Sequence, residues 1–188
     1  MLVLASASPR RRELLAQAGY TFTVQPADIL EDVRPGEEAI AYVTRLAREK
    51  AQAVYAQLAD PASIVLGADT TVTVDREILA KPTDPQDAAR MLRLLSGRTH
   101  RVITGVALVS AESAEVAAEV TAVRFLTLSD EEIAAYVATG EPLDKAGAYA
   151  IQGRAARWIP RIEGCYFNVV GLPLALVSAL LDSAPVRP

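Results

Sequence analysis

The chain opens with a pattern that predicts a buried strand passing through a tight turn directly into a helix. Residues 2–4 are a short apolar run, and apolar residues then recur at helical spacing in residues 10–18. Ser8 is a natural N-cap, Pro9 suits the first helical position, and Gly19 suits the C-terminal end of the helix. The first nineteen residues therefore predict a strand, a turn and a helix.

Three consecutive arginines, Arg10, Arg11 and Arg12, fall in the first turn of this predicted helix. The helix dipole is positive at that end, so cations there oppose helix stability. Such a conflict is expected where function overrides stability. A bound phosphate chain would resolve it, because the helix N–H groups and the guanidinium groups would face the same anion. The alternative interpretation is a solvated basic turn whose charge Glu13 partly offsets.

The composition limits the class of protein. We expect one domain, residues 1–188, and the 51% of hydrophobic residues suffices for a sizeable core. The net charge of −4 argues against nucleic-acid binding, because no basic surface is implied. The single cysteine, Cys165, excludes an internal disulfide and a cysteine metal site.

The distribution of apolar residues argues against a membrane protein. No apolar run approaches the roughly 20 residues that a spanning helix needs. The longest candidate, residues 169–181, is too short and contains Pro173. Met1 leads directly into the first predicted strand, without the basic segment or the small-residue cleavage site of a signal peptide. We therefore expect a cytoplasmic protein that binds no membrane.

A long amphipathic helix is predicted between Gly36 and Leu58. Its apolar stripe consists of Ile40, Val43, Ala47, Ala51, Val54 and Leu58. Lys50 lies on the same stripe, four residues before Val54. Its ammonium must either reach outward to solvent, which is the commoner outcome, or meet a buried anion.

Asp69 follows a predicted buried strand, residues 64–66, whose β-branched and unbroken apolar character is typical of a sheet interior. Gly67 and Ala68 leave room for another group to approach closely. An acid at the end of a strand is a candidate metal ligand or general base. The alternative is a turn aspartate that bonds its own backbone. A second strand, residues 72–74, is predicted directly afterwards, which makes a simple turn less favoured.

Other charged residues are weaker candidates when taken alone. An acidic loop contains Asp28, Glu31 and Asp32, and simple solvation is the favoured interpretation for all three. Lys81 is an isolated cation beside Pro82, which stiffens its loop.

Two polar residues and the cysteine complete the candidates. His100 is the only histidine, so it cannot build a histidine metal cluster, and a structural or substrate-contacting role is favoured over catalysis. Cys165 lacks the surroundings that would lower its pKa and make it a nucleophile. Gln152 carries both an amide donor and an acceptor, which suit the edge of a nucleobase.

The other elements follow from turn signals, caps and periodicity. The predictions are a short strand at residues 22–25, a hairpin turn at 75–77, a helix from Asp84 to Gly97, paired strands at 102–110 and 116–128, a helix opened by a capping box of Ser129 and Glu132, a hairpin of residues 158–162 and 166–170, and a last helix opened by Leu172 and Pro173.

Taken together, the candidates suit a polyphosphate with a divalent ion. Cations are predicted for phosphate oxygens and carboxylates for a hard metal. The cations are Arg10, Arg11, Lys50 and Lys81, and the acids are Glu31 and Asp69. Neither a Gly-x-x-x-x-Gly-Lys loop nor a dinucleotide-binding fingerprint is present in the sequence, so these two enzyme classes are disfavoured.

Seven segments in order resemble the Maf family of nucleoside triphosphate pyrophosphatases. They cover nearly the whole chain, from about residue 2 to 181. The segments are Ser6-Ala7-Ser8-Pro9-Arg10-Arg11, Leu46-Ala47-Arg48-Glu49-Lys50-Ala51, Gly67-Ala68-Asp69-Thr70, Lys81-Pro82, Leu95-Ser96-Gly97-Arg98-Thr99-His100, Asp144-Lys145-Ala146-Gly147-Ala148-Tyr149 and Gly171-Leu172-Pro173. Ala68-Asp69-Thr70 resembles the branch that hydrolyses dTTP and UTP. The third arginine, Arg12, and the bulky residues 155–158 depart from the family pattern and touch none of its motif residues.

The resemblance implies an α/β fold similar to the inosine triphosphate pyrophosphatases, with a mixed twisted sheet, flanking helices and a cleft between two lobes. It also implies a hydrolase that depends on Mg²⁺ or Mn²⁺ and releases pyrophosphate and the nucleoside monophosphate. The resemblance implies that Asp69 is the proton acceptor and that the pocket contains Ser6, Arg10, Arg11, Glu31, Lys50, Thr70, Lys81 and Gln152. We hypothesise in addition that Asp69 and Glu31 hold the metal, because carboxylates suit a hard divalent ion. Arg10, Thr70 and Gln152 match specificity positions. A homodimer is the family expectation.

Two alternatives stay open from the sequence. One keeps the chemistry but changes the substrate to 7-methyl-GTP or another modified nucleotide, in the manner of a house-cleaning enzyme. The other is a nucleotide-binding regulator without turnover, because the family is also associated with inhibition of septum formation and an arrest of cell division. The acids Glu31 and Asp69 favour the enzyme, since a pure sensor has no need of a carboxylate that activates water.

Overall fold

The computed structural model describes residues 1–183, which form seven strands and six α-helices. The elements are β1 (Leu2–Ala5), α1 (Pro9–Gln17), β2 (Phe22–Val24), α2 (Ala39–Tyr55), β3 (Ile64–Val74), β4 (Glu77–Leu79), α3 (Pro85–Leu95), β5 (Thr99–Val109), β6 (Ala114–Arg124), α4 (Asp130–Val137), β7 (Arg161–Glu163), α5 (Tyr166–Val170) and α6 (Leu174–Ser183). Three 3₁₀ turns, Glu141–Asp144, Ala146–Ala148 and Arg154–Trp158, lie between α4 and β7. Among the helices of residues 1–183, none has the length and apolar character that crossing a bilayer requires.

The strands form one mixed sheet in the order β2-β1-β3-β5-β6-β7, with β4 paired to β3. β1 runs parallel to both β2 and β3, and its pairing sets Ala5 beside Gly67. The β3–β4 and β6–β7 pairs are antiparallel. Residues 110–113 join β5 to β6, and so short a connection permits only antiparallel neighbours.

The chain divides into two compact units, and it passes between them within β3, β5 and β6 and again between α5 and α6. The first unit contains residues 1–69, 104–119 and the C-terminal segment from Gly171. The second contains residues 70–103 and 120–170. The expectation that residues 1–188 form one domain stays a prediction.

The first unit has a core in which α2 packs on β1, β3 and β5. Its buried members are Val3, Ala5, Ala47, Ala51, Val54, Val65, Ala107 and Val109. Half of this set are alanines, so the helix backbone lies close to the sheet. A Cβ added at Gly67 would overlap the carbonyl oxygen of Ala47, and one added at Gly105 would overlap the backbone of Val43. The sequence prediction that Gly67 permits a close approach is therefore correct, and the approaching group is α2.

The second unit has a larger core, in which α3 and α4 pack with the 3₁₀ turns. Its buried members include Val72, Leu92, Leu95, Phe125, Ile133, Tyr149 and Trp158. Both helices begin as the sequence predicts. The Asp84 carboxylate accepts from the N–H of Asp87 at 2.8 Å, and Ser129 and Glu132 form a complete capping box.

The predicted start and end of α1 are also confirmed. The Ser8 hydroxyl accepts from the N–H of Arg11, Pro9 occupies the first helical position, and Gly19 follows the C-cap with a φ of +85°. That left-handed conformation carries little steric penalty for glycine. The predicted hairpin turn at residues 75–77 is confirmed as the connection from β3 to β4.

Three predictions about elements are wrong. Residues 64–74 form one continuous strand, so Asp69 lies inside β3 and not at the end of a strand. Residues 166–170 form helix α5 and not a strand, and β7 pairs with β6 instead. In α2 the predicted apolar stripe fails at Ile40, which is 51% exposed, because the core begins one turn later at Tyr42 and Val43.

Candidate active site

Lys50 bonds two carboxylates in the first unit. Its Nζ lies 2.7 Å from Oδ1 of Asp69 and 2.8 Å from Oε1 of Glu31. Lys50 is 8% exposed and Asp69 is 7% exposed. Of the two outcomes that the sequence leaves open for Lys50, the structure shows the buried anion and not the reach to solvent.

The packing of α2 on β3 brings Lys50 to Asp69. Side chains on one face of a strand recur every second residue, so Gly67 and Asp69 share a face of β3. The backbone of α2 at Ala47 lies against Gly67, and Lys50 stands almost one turn further along the helix. The absence of a side chain at Gly67 therefore lets the helix lie low enough for the Lys50 ammonium to reach Asp69.

Burial sets the protonation behaviour of Asp69. The loss of water around its carboxyl raises the pKa of Asp69, and the positive charges of Lys50 and Arg11 oppose that rise. A carboxylate with a raised pKa is a better proton acceptor at neutral pH than an exposed aspartate. Asp69 therefore stays the candidate general base that the sequence predicts.

Arg11 reaches from the first turn of α1 toward β3. Its Nε donates to the carbonyl oxygen of Gly171 at 2.8 Å, and its Nη1 donates to that of Ala68 at 2.9 Å and to Oγ of Ser6 at 3.3 Å. Burial lowers the pKa of Arg11, and the negative charges of Asp69 and Glu31 act in the opposite direction. The basic turn is thus not simply solvated at this residue.

Ser6 is buried between β1 and α1. Its Oγ accepts from the backbone N–H of Ser8 at 3.2 Å as well as from Arg11. The hydroxyl therefore ties the turn after β1 to the guanidinium group of Arg11.

The acidic loop is not simply solvated at Glu31. The interpretation that favoured solvation for Asp28, Glu31 and Asp32 is wrong for Glu31, because its carboxylate pairs with Lys50. Two side chains of α2 also hold the backbone of this loop. The Tyr42 hydroxyl donates to the carbonyl oxygen of Glu31 at 2.9 Å, and Arg45 donates to that of Asp32 at 3.0 Å.

Sequence reasoning missed Tyr42 and Arg45 as residues near the site. Both are buried polar residues of α2, and they lie about two turns (Tyr42) and about one and a half turns (Arg45) before Lys50. A polar side chain at a core-facing position needs partners, so the helical spacing of Tyr42, Arg45 and Lys50 is the signal that could have identified them. Desolvation raises the pKa of Tyr42 to about 12, which keeps its hydroxyl protonated as a donor.

Three of the predicted site residues, Arg10, Lys81 and Gln152, lie outside this set of contacts. Arg10 is half-buried in the first turn of α1, in the first unit. Thr70, Lys81 and Gln152 belong to the second unit; Thr70 is half-buried, whereas Lys81 and Gln152 are exposed. Within residues 1–183, the side chains of Arg10, Lys81 and Gln152 form no hydrogen bond or ion pair, so their polar groups are available to a ligand.

The carboxylates of Glu31 and Asp69 fit a divalent cation that also binds substrate. Both approach the same ammonium nitrogen, so the two carboxylates already converge on one positive charge. Residues 1–183 contain no cluster of three or more histidine, cysteine or acidic side chains that could hold a metal alone. Mg²⁺ is commonly bound by one or two carboxylates together with substrate phosphates, so a pair of carboxylates suffices.

His100 and Cys165 lie away from these contacts. His100 is buried in the second unit, where its Nε2 lies 2.8 Å from the Tyr149 hydroxyl and its ring meets Phe125 edge-on. Burial lowers the pKa of His100 to about 3, so the ring stays neutral. The backbone of Cys165 bonds the Thr121 hydroxyl through both its N–H and its carbonyl oxygen. These contacts indicate structural roles.

Comparison with known proteins places the chain in a family. A family model described as Maf-like protein matches residues 1–184. The chain belongs to the Maf family. A protein of Moorella thermoacetica, described as a dTTP/UTP pyrophosphatase, is 58% identical over 182 residues, which cover 96% of this chain and 93% of the relative. A protein of Koribacter versatilis with the same description is 54% identical over 185 residues, which cover 98% of this chain and 95% of the relative.

The Maf chain also resembles a solved structure of low sequence identity. The structure of the Staphylococcus aureus Ham1 protein matches with a TM-score of 0.53 over 96% of this chain and 97% of that chain, at 13% identity. At this identity the likeness concerns the fold alone. It confirms the predicted α/β class, a mixed sheet with flanking helices.

The motifs that carry the Maf resemblance contribute four of the five side chains in contact. Ser6 and Arg11 come from the first motif, Lys50 from the second and Asp69 from the third. Glu31 lies between the first two motifs. Segments far apart in the Maf sequence therefore meet through direct hydrogen bonds and ion pairs within the first unit.

Proposed function

We infer that this chain is a nucleoside triphosphate pyrophosphatase that hydrolyses dTTP and UTP to the nucleoside monophosphate and pyrophosphate. The observation that carries the inference is the similarity to relatives described as dTTP/UTP pyrophosphatases, 54% and 58% identical over more than nine-tenths of both chains. The buried carboxylate of Asp69, beside Lys50 and Arg11, supports it, because hydrolysis of a phosphoanhydride needs both a base and cations.

We propose that Asp69 and Glu31 would hold Mg²⁺ or Mn²⁺ together with the phosphates of the bound substrate. When bound, such an ion supplies Lewis-acid stabilisation of the charge on phosphate oxygens. Glu31 and Asp69 support this assignment because oxygen ligands suit both ions and both carboxylates point to the same ammonium group.

The proposed reaction is an attack of water on the α-phosphorus. Asp69 accepts a proton from the water as the new oxygen–phosphorus bond forms, and the bond from the α-phosphorus to the bridging oxygen breaks. Pyrophosphate leaves with the electron pair of that bond. The raised pKa of Asp69 supports this role, since a stronger base takes the proton more readily.

Cations on both sides of Asp69 in the sequence are proposed to bind the phosphates. Arg10, Arg11, Lys50 and Lys81 neutralise the charge that develops on the leaving pyrophosphate. Ser6 supports Arg11 through the hydrogen bond to its guanidinium group. Thr70 and Gln152 are proposed to select the pyrimidine, because hydroxyl and amide groups can pair with its polar edge.

The test is a substrate panel with one variant. Purified protein would be incubated with Mg²⁺ and dTTP, UTP, CTP, 7-methyl-GTP or ITP, and the products resolved by anion-exchange chromatography. We expect monophosphate and pyrophosphate from dTTP and UTP. Asp69→Asn should lower turnover by about 10²- to 10⁴-fold, the contribution typical of a general base, while dTTP binding measured by calorimetry is largely retained.

The other possible results of this experiment would each lead to a different conclusion. If only 7-methyl-GTP gave products, the proposed reaction would stand, but the proposed specificity for dTTP and UTP would be wrong. Tight binding of dTTP without any product would favour the nucleotide-binding regulator. Full activity of Asp69→Asn would remove Asp69 as the base. The homodimer, a role in septum formation and the cytoplasmic location stay predictions.

A further inference from the structure

The loop that carries Glu31 is attached to α2 by two buried side chains. Tyr42 and Arg45 lie three residues apart on the helix, so they project from the same face. They donate to successive backbone carbonyls, those of Glu31 and Asp32, at 2.9 and 3.0 Å. We propose that Tyr42 and Arg45 are positioning residues that fix Glu31 for metal binding, an inference that rests on the proposed function.

Arg45 forms the stronger of the two attachments. Its Nε and Nη2 bond the two carboxylate oxygens of Glu37 at 2.6 and 2.7 Å, and its Nη1 bonds Glu49 at 3.1 Å. Arg45 is 8% exposed, so these charge-assisted bonds form largely out of water. Glu37 lies at the end of the loop that begins near Glu31. Arg45 therefore holds both ends of this segment against α2.

Tyr42 determines the position of Glu31 itself. Its hydroxyl bonds the backbone of the same residue whose carboxylate pairs with Lys50. Tyr42 is buried and lies against Arg45, whose guanidinium carbon is 5.7 Å from the Tyr42 ring centre. Three residues of one helix, Tyr42, Arg45 and Lys50, thus fix the backbone and the side chain of the loop.

Glu31 benefits from this support because it lies in a segment without regular secondary structure. Residues 25–38 contain no helix or strand, and the Glu31 side chain is 46% exposed. Ordering a loop residue costs backbone conformational entropy. If the loop were free, metal binding would have to supply that free energy. Pre-ordering by α2 removes this cost from the binding step, as outer-shell partners do for metal ligands.

The matched pair of variants is Tyr42→Phe and Tyr55→Phe. Each removes one hydroxyl from α2 that donates to a backbone carbonyl, but the Tyr55 hydroxyl bonds Pro61, at 3.4 Å, and not the acidic loop. Calorimetric titration with Mn²⁺ alone measures metal affinity without turnover. We expect Tyr42→Phe to weaken Mn²⁺ binding about 10-fold, at the lower end of the 10–100-fold typical of outer-shell partners, and Tyr55→Phe to leave it unchanged.

A second variant and a second readout separate positioning from general stability. Arg45→Lys keeps the positive charge but loses the planar fork that bonds Glu37 with two nitrogens, so it should weaken Mn²⁺ binding as well. In dTTP hydrolysis, both variants should raise the Mg²⁺ concentration needed for half-maximal rate, while saturating Mg²⁺ restores most of the wild-type kcat. A purely structural role would instead lower the melting temperature and leave the Mg²⁺ requirement of the folded enzyme unchanged.

The outcomes distinguish this inference from the proposed function. Wild-type protein without dTTP or UTP hydrolysis would refute the proposed function. Active wild-type protein, with the same Mn²⁺ affinity and Mg²⁺ requirement in Tyr42→Phe as in Tyr55→Phe, would refute the positioning role alone. A Tyr42→Phe variant that binds Mn²⁺ more weakly at an unchanged melting temperature would support it.

Discussion

Lys50 and Asp69 lower the cost of placing each other in a protein interior, and Glu31 adds a second carboxylate at the surface end of Lys50. A buried charge without a partner is very unfavourable, whereas a buried ion pair offsets much of its desolvation through attraction and hydrogen bonds. Here one ammonium group serves two carboxylates. Removing Lys50 would leave the buried Asp69 without its nearest cation, so the pKa of Asp69 would rise further.

The contribution of Glu37 to the stability of the protein depends on pH. The Arg45 fork lowers the pKa of Glu37 from 4.5 to about 2. The native state therefore binds a proton at Glu37 less readily than the unfolded chain does. The stability that Glu37 contributes is fully present above pH 4.5 and is lost as the pH falls toward about 2. We expect Glu37→Gln to be less stable than wild type at neutral pH, by a difference that shrinks as the pH falls.

Urea unfolding at a series of pH values measures this difference. Glu38→Gln is the control, because Glu38 is the next residue, is exposed, and forms no ion pair with the chain that the structure describes. A Glu37→Gln variant whose stability deficit stays constant as the pH falls toward 2 would show that the Arg45 pair does not lower the pKa of Glu37.

Single side chains show what sequence can and cannot predict about the site. Lys50 was predictable as unusual because it breaks an apolar stripe, and Arg11 because it opposes the helix dipole. Glu31 was not predictable from local pattern, since an acid in a polar loop looks solvated until its partner on α2 is known. Arg45 and Tyr42 likewise depend on contacts with a loop of no regular period.

At the level of secondary structure, the distance between α2 and β3 determines how close Lys50 lies to Asp69. Gly67 lies under Ala47, and an added Cβ would also stand 3.0 Å from Cβ of Ala51. Gly67→Ala must therefore push α2 away from the sheet, and Lys50 lies between these two alanines. We expect a loss of about 1–3 kcal/mol in the free energy of unfolding and roughly 100-fold in turnover of dTTP.

Chemical denaturation and steady-state kinetics measure the two effects separately. Ile133→Val is the control, because it shortens a fully buried side chain in α4 of the second unit and should cost about 0.5–1.5 kcal/mol without changing kcat. If Gly67→Ala kept wild-type turnover, the spacing of α2 would not determine the geometry around Asp69.

Helices were easier to predict than the ends of strands, for physical reasons. The caps at Ser8, Asp84 and Ser129 are local, so the sequence alone identifies them. The run Tyr166–Val170 has strand-like residues but forms α5, where Asn168 donates to the Val102 carbonyl and to the Thr121 hydroxyl. Such distant partners override local propensity.

β3 also shows that distant contacts override the local sequence pattern, because it continues where that pattern predicts an interruption. Gly67-Ala68-Asp69 suggests an interruption, because small and acidic residues are uncommon in strand interiors. The strand continues because α2 covers Gly67 and Lys50 neutralises Asp69. Both of these compensating partners are distant in sequence, so the continuity could not be seen in the local pattern.

Three strands belong to both compact units, and this shared backbone bears on how the molecule unfolds. β3, β5 and β6 each begin in one unit and end in the other. Each unit has its own core, so local packing alone would allow separate transitions. When one of these strands unfolds in one unit, however, the hydrogen-bond ladder that continues into the other unit is broken as well. We therefore predict one cooperative transition for residues 1–188.

The single tryptophan makes this prediction testable. Trp158 is buried in the core of the second unit, so its fluorescence reports on that unit. Leu46→Ala removes a fully buried side chain from α2 in the first unit and should cost about 2–5 kcal/mol. If unfolding is cooperative, Leu46→Ala shifts the Trp158 transition as far as it shifts the circular dichroism of the whole chain. Leu92→Ala, in the second unit, calibrates that shift. A Trp158 transition that stays at its wild-type midpoint in Leu46→Ala would mean that the units unfold independently despite the three strands they share.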